Sequence, residues 1–185
     1  MTSAEEVERV LTSDPSPDQR ILNFAGLLQR DSGSEVIIVG GSAIEVHSRG
    51  KYHSDDLDLR GDREAIRRVL ARWGFRNAGK IWLREDWKIA VDVVGTKYTG
   101  DPYRAVRVET KFGPVRVAVV EDLIIKRLAE AKHWKTKKAI QEAAVLWADY
   151  RDRIDFEYLN RQAREYDVVD LLADFRERLD GTVSD

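Results

Sequence analysis

Val39-Gly40-Gly41-Ser42-Ala43-Ile44-Glu45, followed by Ser54-Asp55-Asp56-Leu57-Asp58-Leu59, is the stretch on which the reading of the fold turns. Glu35 to Val39 is a short β-branched run that stops at the glycine pair, which predicts a buried strand. Two glycines after a strand let the backbone turn tightly and approach a ligand closely. Ser42 stands where a short helix, Ser42 to Ser48, is expected to begin. Backbone N–H groups, a hydroxyl and the helix dipole at that point suit a phosphate. Leu57 to Arg60 reads as a second strand. Asp56 and Asp58 are two residues apart, so both carboxylates leave one face, while Leu57 and Leu59 point into the core. Such a pair repels itself unless a cation or protons offset the charge. Mg²⁺ (or Mn²⁺) suits the position, because it takes one or two carboxylates together with phosphate oxygens and water.

Working outward, Lys88 to Val94 alternates as a strand does. Ile89, Val91 and Val93 face one way, and Ala90, Asp92 and Val94 the other. Asp92 is the acid within Ile89 to Val94. If this strand lies beside Leu57 to Arg60, Asp92 completes the metal site and can accept the proton of an attacking hydroxyl. Asp55 is read as a flanking charge, since its partner two along is Leu57.

Around this centre, Ser16-Pro17-Asp18-Gln19 reads as a helix start, with Ser at the cap and Pro at the first helical position. Asp62 can cap a helix whose stripe is Ile66, Val69 and Leu70 and which ends at Gly74. Ala78-Gly79-Lys80 joins a hairpin, and Phe112-Gly113-Pro114 joins the strand pair Val106 to Glu109 and Val115 to Val119. From Glu121 onward the pattern is helical, with Ile140, Ala143, Ala144 and Trp147 forming one stripe, a cap at Asp155, and a last stripe starting at Val168. The expected architecture is α+β: an N-terminal helical segment at 1–30, an α/β core at 31–120 with a mixed sheet flanked by helices, and a helical extension at 121–185 packed on that core.

The composition bounds the alternatives. The chain has 185 residues, 43% of them apolar and 35% charged, enough for a buried core under a heavily charged surface. Its net charge of −2 gives no global field for nucleic acid, so any phosphate binding must be local. There are no cysteines, which removes disulfides and thiolate metal sites. His47, His53 and His133 fit no zinc spacing. No signal peptide and no membrane-length apolar run is present, so a soluble cytoplasmic protein without membrane contact is expected. The tryptophans 73, 82, 87, 134 and 147 are read as packing residues. Lys126, Arg127, Lys132, Lys135, Lys137 and Lys138 cluster against Glu130, either as a solvated helix face or as a site for a triphosphate or an RNA acceptor.

Strand, Gly-Gly-Ser, short helix, Asp-Leu-Asp and a later strand bearing one acid together resemble the nucleotidyltransferase superfamily, whose fold is polymerase-beta-like. Gly40-Gly41-Ser42-Ala43 with Ser54-Asp55-Asp56-Leu57-Asp58 is most similar to the small nucleotidyltransferase-like proteins of prokaryotic toxin–antitoxin and abortive-infection systems. Val120 to Leu128 resembles an element of prokaryotic relatives of unknown function, which makes Lys126 the phosphate candidate of the basic cluster. The resemblance covers roughly residues 35 to 165. It implies metal-dependent transfer of a nucleoside monophosphate from a triphosphate, with Asp56, Asp58 and Asp92 at the metal and Gly40, Gly41, Ser42 and Lys126 at the nucleotide. The acceptor stays open between RNA, protein and a small molecule, and a cognate toxin or antitoxin protein is the expected partner. Two alternatives stand beside it: a catalytically silent nucleotide- or partner-binding module of the same fold, and a transferase acting on small molecules of the aminoglycoside kind. The latter needs an acidic acceptor pocket, for which Glu85 and Asp86 are suggestive.

Overall fold

The computed structural model describes residues 1–13 and 16–181, which divide into two compact units, Met1–Ala118 and Val119–Asp185. In the first unit the β-branched and alternating segments pair into one seven-stranded sheet. The strands are β1 (Ile37–Ile38), β2 (Leu57–Arg60), β3 (Arg76–Ala78), β4 (Ile81–Arg84), β5 (Ile89–Gly95), β6 (Val106–Val108) and β7 (Val115–Val117). Their spatial order is β3-β4-β5-β2-β1-β7-β6. β2 runs parallel to β5 and β1 parallel to β7, while the other pairs are antiparallel, so the sheet is mixed. The β2/β5 pairing needs a crossover, and α4 (Arg63–Arg72) followed by the β3–β4 hairpin provides it.

α4 starts where Asp62 accepts the N–H groups of Glu64 and Ala65, at 2.9 and 3.1 Å. Three further helices belong to this unit: α1 (Ala4–Ser13), α2 (Pro17–Ser32) and α3 (Gly40–His47). α2 begins at Pro17, as its sequence indicates, and is closed by Gly33 in the left-handed conformation, φ 65°. An edge-on aromatic cluster, Phe24–Trp73 at 5.6 Å and Phe75–Trp87 at 5.8 Å, joins α2, α4 and the hairpin.

α1 is a helix that the sequence reading did not resolve within 1–30. Its signal is a capping box: the Ser3 N–H donates to Glu6 Oε2 at 2.8 Å, and the Glu6 N–H to Ser3 Oγ at 3.3 Å. Val7 and Leu11, four apart, bury its inner face. The chain just before it is held by Thr2, whose N–H donates to Asp31 Oδ2 at 2.6 Å and whose carbonyl accepts the Trp73 indole N–H at 3.2 Å.

The second unit is helical: α5 (Val120–Trp134), α6 (Lys137–Tyr150), α7 (Phe156–Glu165) and α8 (Val169–Gly181). Asp155 caps α7 by accepting the Tyr158 N–H at 3.0 Å, and the buried Tyr158 hydroxyl donates to Asp122 at 2.7 Å. Trp147 packs edge-on against Phe156 and Phe175. Trp134 departs from the expectation for tryptophans, being 78% exposed at the end of α5. Much of the basic cluster finds acids within this unit. Arg127 meets Glu130 and Glu142 at 2.7 and 2.5 Å, Lys138 approaches Glu142 at 3.9 Å, and Lys132 meets Asp167 at 2.7 Å. No helix among the described residues is long and apolar enough to cross a membrane.

Candidate active site

The Leu57/Leu59 alternation dictates which way the aspartates point. Both leucines are buried, Asp58 is half-buried on the opposite face, and Asp56 enters from the residue before β2. β5 alternates in the same sense, with Val91 and Val93 buried and Asp92 half-buried between them. The parallel register then sets Asp58 directly opposite Asp92. Asp56 lies close enough for its charge to act on Asp92. Burial first, and then Asp56, pushes the Asp92 carboxyl above the usual carboxylate range; Arg63 and Lys80 pull the other way without cancelling this. Strand pairing thus brings together carboxylates separated by more than thirty residues of chain.

The glycine turn closes on this group. Val39 is the extended cap residue and α3 begins at Gly40, two residues earlier than expected, so the glycines form the helix's first turn instead of a loop before it. The reason is an acceptor: Asp58 Oδ2 takes the Gly41 N–H at 3.1 Å, satisfying one of the helix's orphan donors. Gly40 carries the positive φ, 57°, and a Cβ there would lie 2.8 Å from Asp58 Cγ. The backbone restriction therefore sits at Gly40. At Gly41 a Cβ would instead meet Ser54 Oγ at 2.6 Å.

Ser42 plays a different part from the one its sequence position suggests. It is fully buried, donates its hydroxyl to the Asp56 carbonyl at 2.8 Å, and accepts the Asp58 N–H at 3.0 Å. The hydroxyl staples α3 to β2 at the two catalytic candidates; what remains for an anion is the main chain of the first turn. Ser42→Ala is therefore expected to destabilise the protein by about 1–3 kcal/mol, the usual result of leaving buried main-chain groups unpaired. A urea midpoint that does not move, with nucleotide affinity reduced, would return the hydroxyl to a ligand-binding role.

Glu45 is the functional-site residue that the sequence reading left without a role. It is 4% exposed, accepts the Ser54 N–H at 2.8 Å, and lies 3.3 Å from His53 Nδ1. Ser54 in turn donates its hydroxyl to the Asp56 carbonyl at 2.8 Å. A buried acid three residues after Ser42, on the helix face turned to the loop, fixes the approach to Asp56. Two cations near Asp92, Arg63 and Lys80, were also not singled out. Arg63 leads α4 and donates to the Val93 carbonyl at 3.0 Å, and Lys80 ends the hairpin turn beside Ile81, the β4 partner of Asp92. Lys126 lies on α5 in the helical unit and is half-buried.

Among the described residues no three His, Cys, Asp or Glu side chains close into a ready-made metal cage. The donor set still fits a hard cation. It is all carboxylate oxygen, Asp92 is crowded by the charge of Asp56, and Mg²⁺ bound with a phosphate substrate calls for only one or two carboxylates.

One cleft in this unit, of about 560 Å³, has Asp55, Asp56 and Glu45 at one part of its wall and residues of α1, α2 and the β4–β5 turn along the rest. No protein-family model and no curated protein matches the chain. Solved structures do. A nucleotidyltransferase-like antigenic protein from Paracoccidioides brasiliensis aligns with TM-score 0.61 at 15% identity, covering 91% of this chain and 92% of its own. The crystal structure of ANT(2")-Ia with adenylyl-2"-tobramycin aligns with TM-score 0.54 at 17% identity, covering 77% and 92%. The solution structure of the antibiotic-resistance factor ANT(2'')-Ia gives 0.55 at 14%, covering 82% and 92%. The chain has the nucleotidyltransferase fold.

Proposed function

We propose that the protein is a metal-dependent nucleotidyltransferase that moves a nucleoside monophosphate from a nucleoside triphosphate to an acceptor hydroxyl. The observation that carries this is the register placing Asp58 opposite Asp92, with Asp56 in electrostatic reach and the α3 N-terminus directly beside them. Asp56, Asp58 and Asp92 would hold Mg²⁺ or Mn²⁺, which supplies charge neutralisation on the phosphate oxygens. The outer phosphates lie at the main chain of Gly40 and Gly41, sharing the α3 N-terminus with Asp58 Oδ2, which accepts the Gly41 N–H, and Arg63 and Lys80 offset the negative charge near Asp92. Asp92 takes the proton of the acceptor hydroxyl as its oxygen bonds to the α-phosphorus; the bond to the β-phosphate breaks and pyrophosphate leaves.

The sequence resemblance supports a toxin–antitoxin setting with a cognate protein partner. The neighbour bound to adenylyl-2"-tobramycin supports a small-molecule hydroxyl as acceptor. A silent binding module of the same fold would bind triphosphate without releasing pyrophosphate.

Calorimetric titration with each ribonucleoside triphosphate and Mg²⁺ tests the site. Asp56→Asn is expected to weaken binding at least about tenfold, the loss of one charged ligand from a partly desolvated cluster. Asp55→Ala, an exposed neighbour, should stay within about twofold. Equal affinities in the wild type and Asp56→Asn would remove the metal site and the reading with it.

A further inference from the structure

We infer that the groove between the α5–α6 turn and α8 is a self-association surface, and that it meets the same groove of a second copy of this chain. The groove lies wholly within the helical unit and has a volume of about 600 Å³. Its floor is apolar, with Ile140, Ala144 and Leu171 half-buried along it. Two large apolar side chains stand at its margins. Trp134, next to the lining residue Lys135, is 78% exposed at the end of α5, and Val169 is 49% exposed at the start of α8. Apolar surface of this kind, rimmed by charge, marks a place where another molecule sits, and tryptophan is enriched in such interfaces.

The charges of the two walls select the partner. The wall made by the end of α5 and the start of α6 carries Lys132, Lys135 and Lys137, and the wall made by α8 and the residues before it carries Asp167, Asp170 and Asp174. Lys132 and Asp167 already bridge the walls at 2.7 Å. Lys135, Lys137, Asp170 and Asp174 have no ion pair among the described residues. Arg178, one turn beyond Asp174, is a base on the α8 wall and leaves that wall net acidic. A polyanion would meet Asp170 and Asp174 here, and a basic segment would meet Lys135 and Lys137. A surface with opposite signs on its two walls is instead complementary to itself. A twofold axis running along the groove sets Lys135 and Lys137 of each copy against Asp170 and Asp174 of the other, whereas an axis across the groove would set like on like. The same rotation brings Trp134 of one copy to the Val169 side of the other, taking both side chains out of water.

Sedimentation velocity of the full chain over a concentration series, at low and moderate salt, reads the monomer–dimer equilibrium. The wild type should dimerise, and more weakly as salt rises. Lys135→Glu/Lys137→Glu makes both walls net acidic, and Asp170→Lys/Asp174→Lys makes both net basic. Each variant alone should self-associate at least about tenfold more weakly than the wild type. An equimolar mixture of the two should restore association, because every wall then faces its opposite. Trp134→Ser should weaken the dimer about tenfold, as loss of a central aromatic anchor does. All the substituted side chains are exposed, so the fold is expected to hold, and a thermal melt verifies this. Asp170 is the acid of the first turn of α8, so Asp174→Lys alone is measured beside the double variant. A wild type that stays monomeric throughout, whether alone or with another protein or an RNA hairpin held on this face, overturns the assignment. Charge variants that dimerise like the wild type overturn it too, as does a mixture that stays monomeric while each variant alone is weakened.

Discussion

Asp92→Asn is expected to lower the transfer rate by about 10²–10⁴-fold, the usual contribution of a positioned general base, and to weaken nucleotide binding by about tenfold, the loss of one charged metal ligand. Asparagine preserves the size of the side chain at a strand position whose neighbours across the ladder are Asp58 and Ile81. It cannot accept a proton. Single-turnover release of labelled pyrophosphate, with extract of the host as acceptor pool, measures the rate, and calorimetry measures the affinity. Stability should move oppositely to activity. Burial and Asp56 raise the Asp92 carboxyl, so in metal-free buffer its contribution to stability is present at low pH and is lost as pH rises through the folded-state pKa. The neutral variant should therefore be at least as stable as the wild type at neutral pH. Asp58 does not share this behaviour. Simple repulsion within the Asp56/Asp58 pair suggests that removing either relieves strain, but Asp58 also receives the Gly41 N–H, and its loss uncaps α3. An Asp92→Asn enzyme with full activity would exclude that residue from the mechanism.

Gly40→Ala is expected to give the largest loss of stability of any substitution in the turn. Two penalties coincide there. The left-handed φ of 57° costs an L-residue about 1–2 kcal/mol. The new methyl would also press on the Asp58 carboxyl group, 2.8 Å from its Cγ, and overpacking of that kind typically costs about 1–3 kcal/mol. Gly33→Ala isolates the first penalty, since its φ is 65° and nothing lies within 4 Å of its Cβ position. Urea denaturation of both variants should show a shift for Gly40→Ala at least about twice that of Gly33→Ala if these two penalties add. Displacing Asp58 should also reduce Mg²⁺–ATP affinity in the Gly40 variant alone. Matching denaturation midpoints would mean that the carboxylate yields freely and that the close approach has no energetic weight.

The legibility of this chain follows the range of the interactions involved. Leu57/Leu59 against Asp56/Asp58, and Val91/Val93 against Asp92, are period-two patterns within a few residues, and they read directly as strands with acids on one face. The pairing of those strands depends on a crossover through α4 and a hairpin, which no local pattern encodes; only the register reveals that Asp58 faces Asp92. The glycine pair read as a phosphate turn, but which of the two is restricted depends on the backbone path and on where Asp58 reaches, and both put the restriction at Gly40. Ser42 reads as a ligand donor and Glu45 has no reading in the sequence, because the partners of both are main-chain groups of the segment 54–58. α1 was missed for a simpler reason: two buried apolar residues, Val7 and Leu11, make a weak stripe, and the Ser3/Glu6 capping box was the stronger sign.

The borders of the sheet bear on how molecules of this protein meet each other. β3 and β6, its outermost strands, are three residues long and present largely solvated side chains. Each carries an arginine held by a nearby acid, Arg76 with Glu85 at 2.6 Å and Arg107 with Glu109 at 3.0 Å. An incoming strand from another copy would find few hydrogen-bonding positions and would have to desolvate a charge pair to use them. Short, charged margins of this kind protect a seven-stranded sheet against edge-to-edge stacking, so concentrated solutions should resist β-type aggregation as long as those arginines keep their charge.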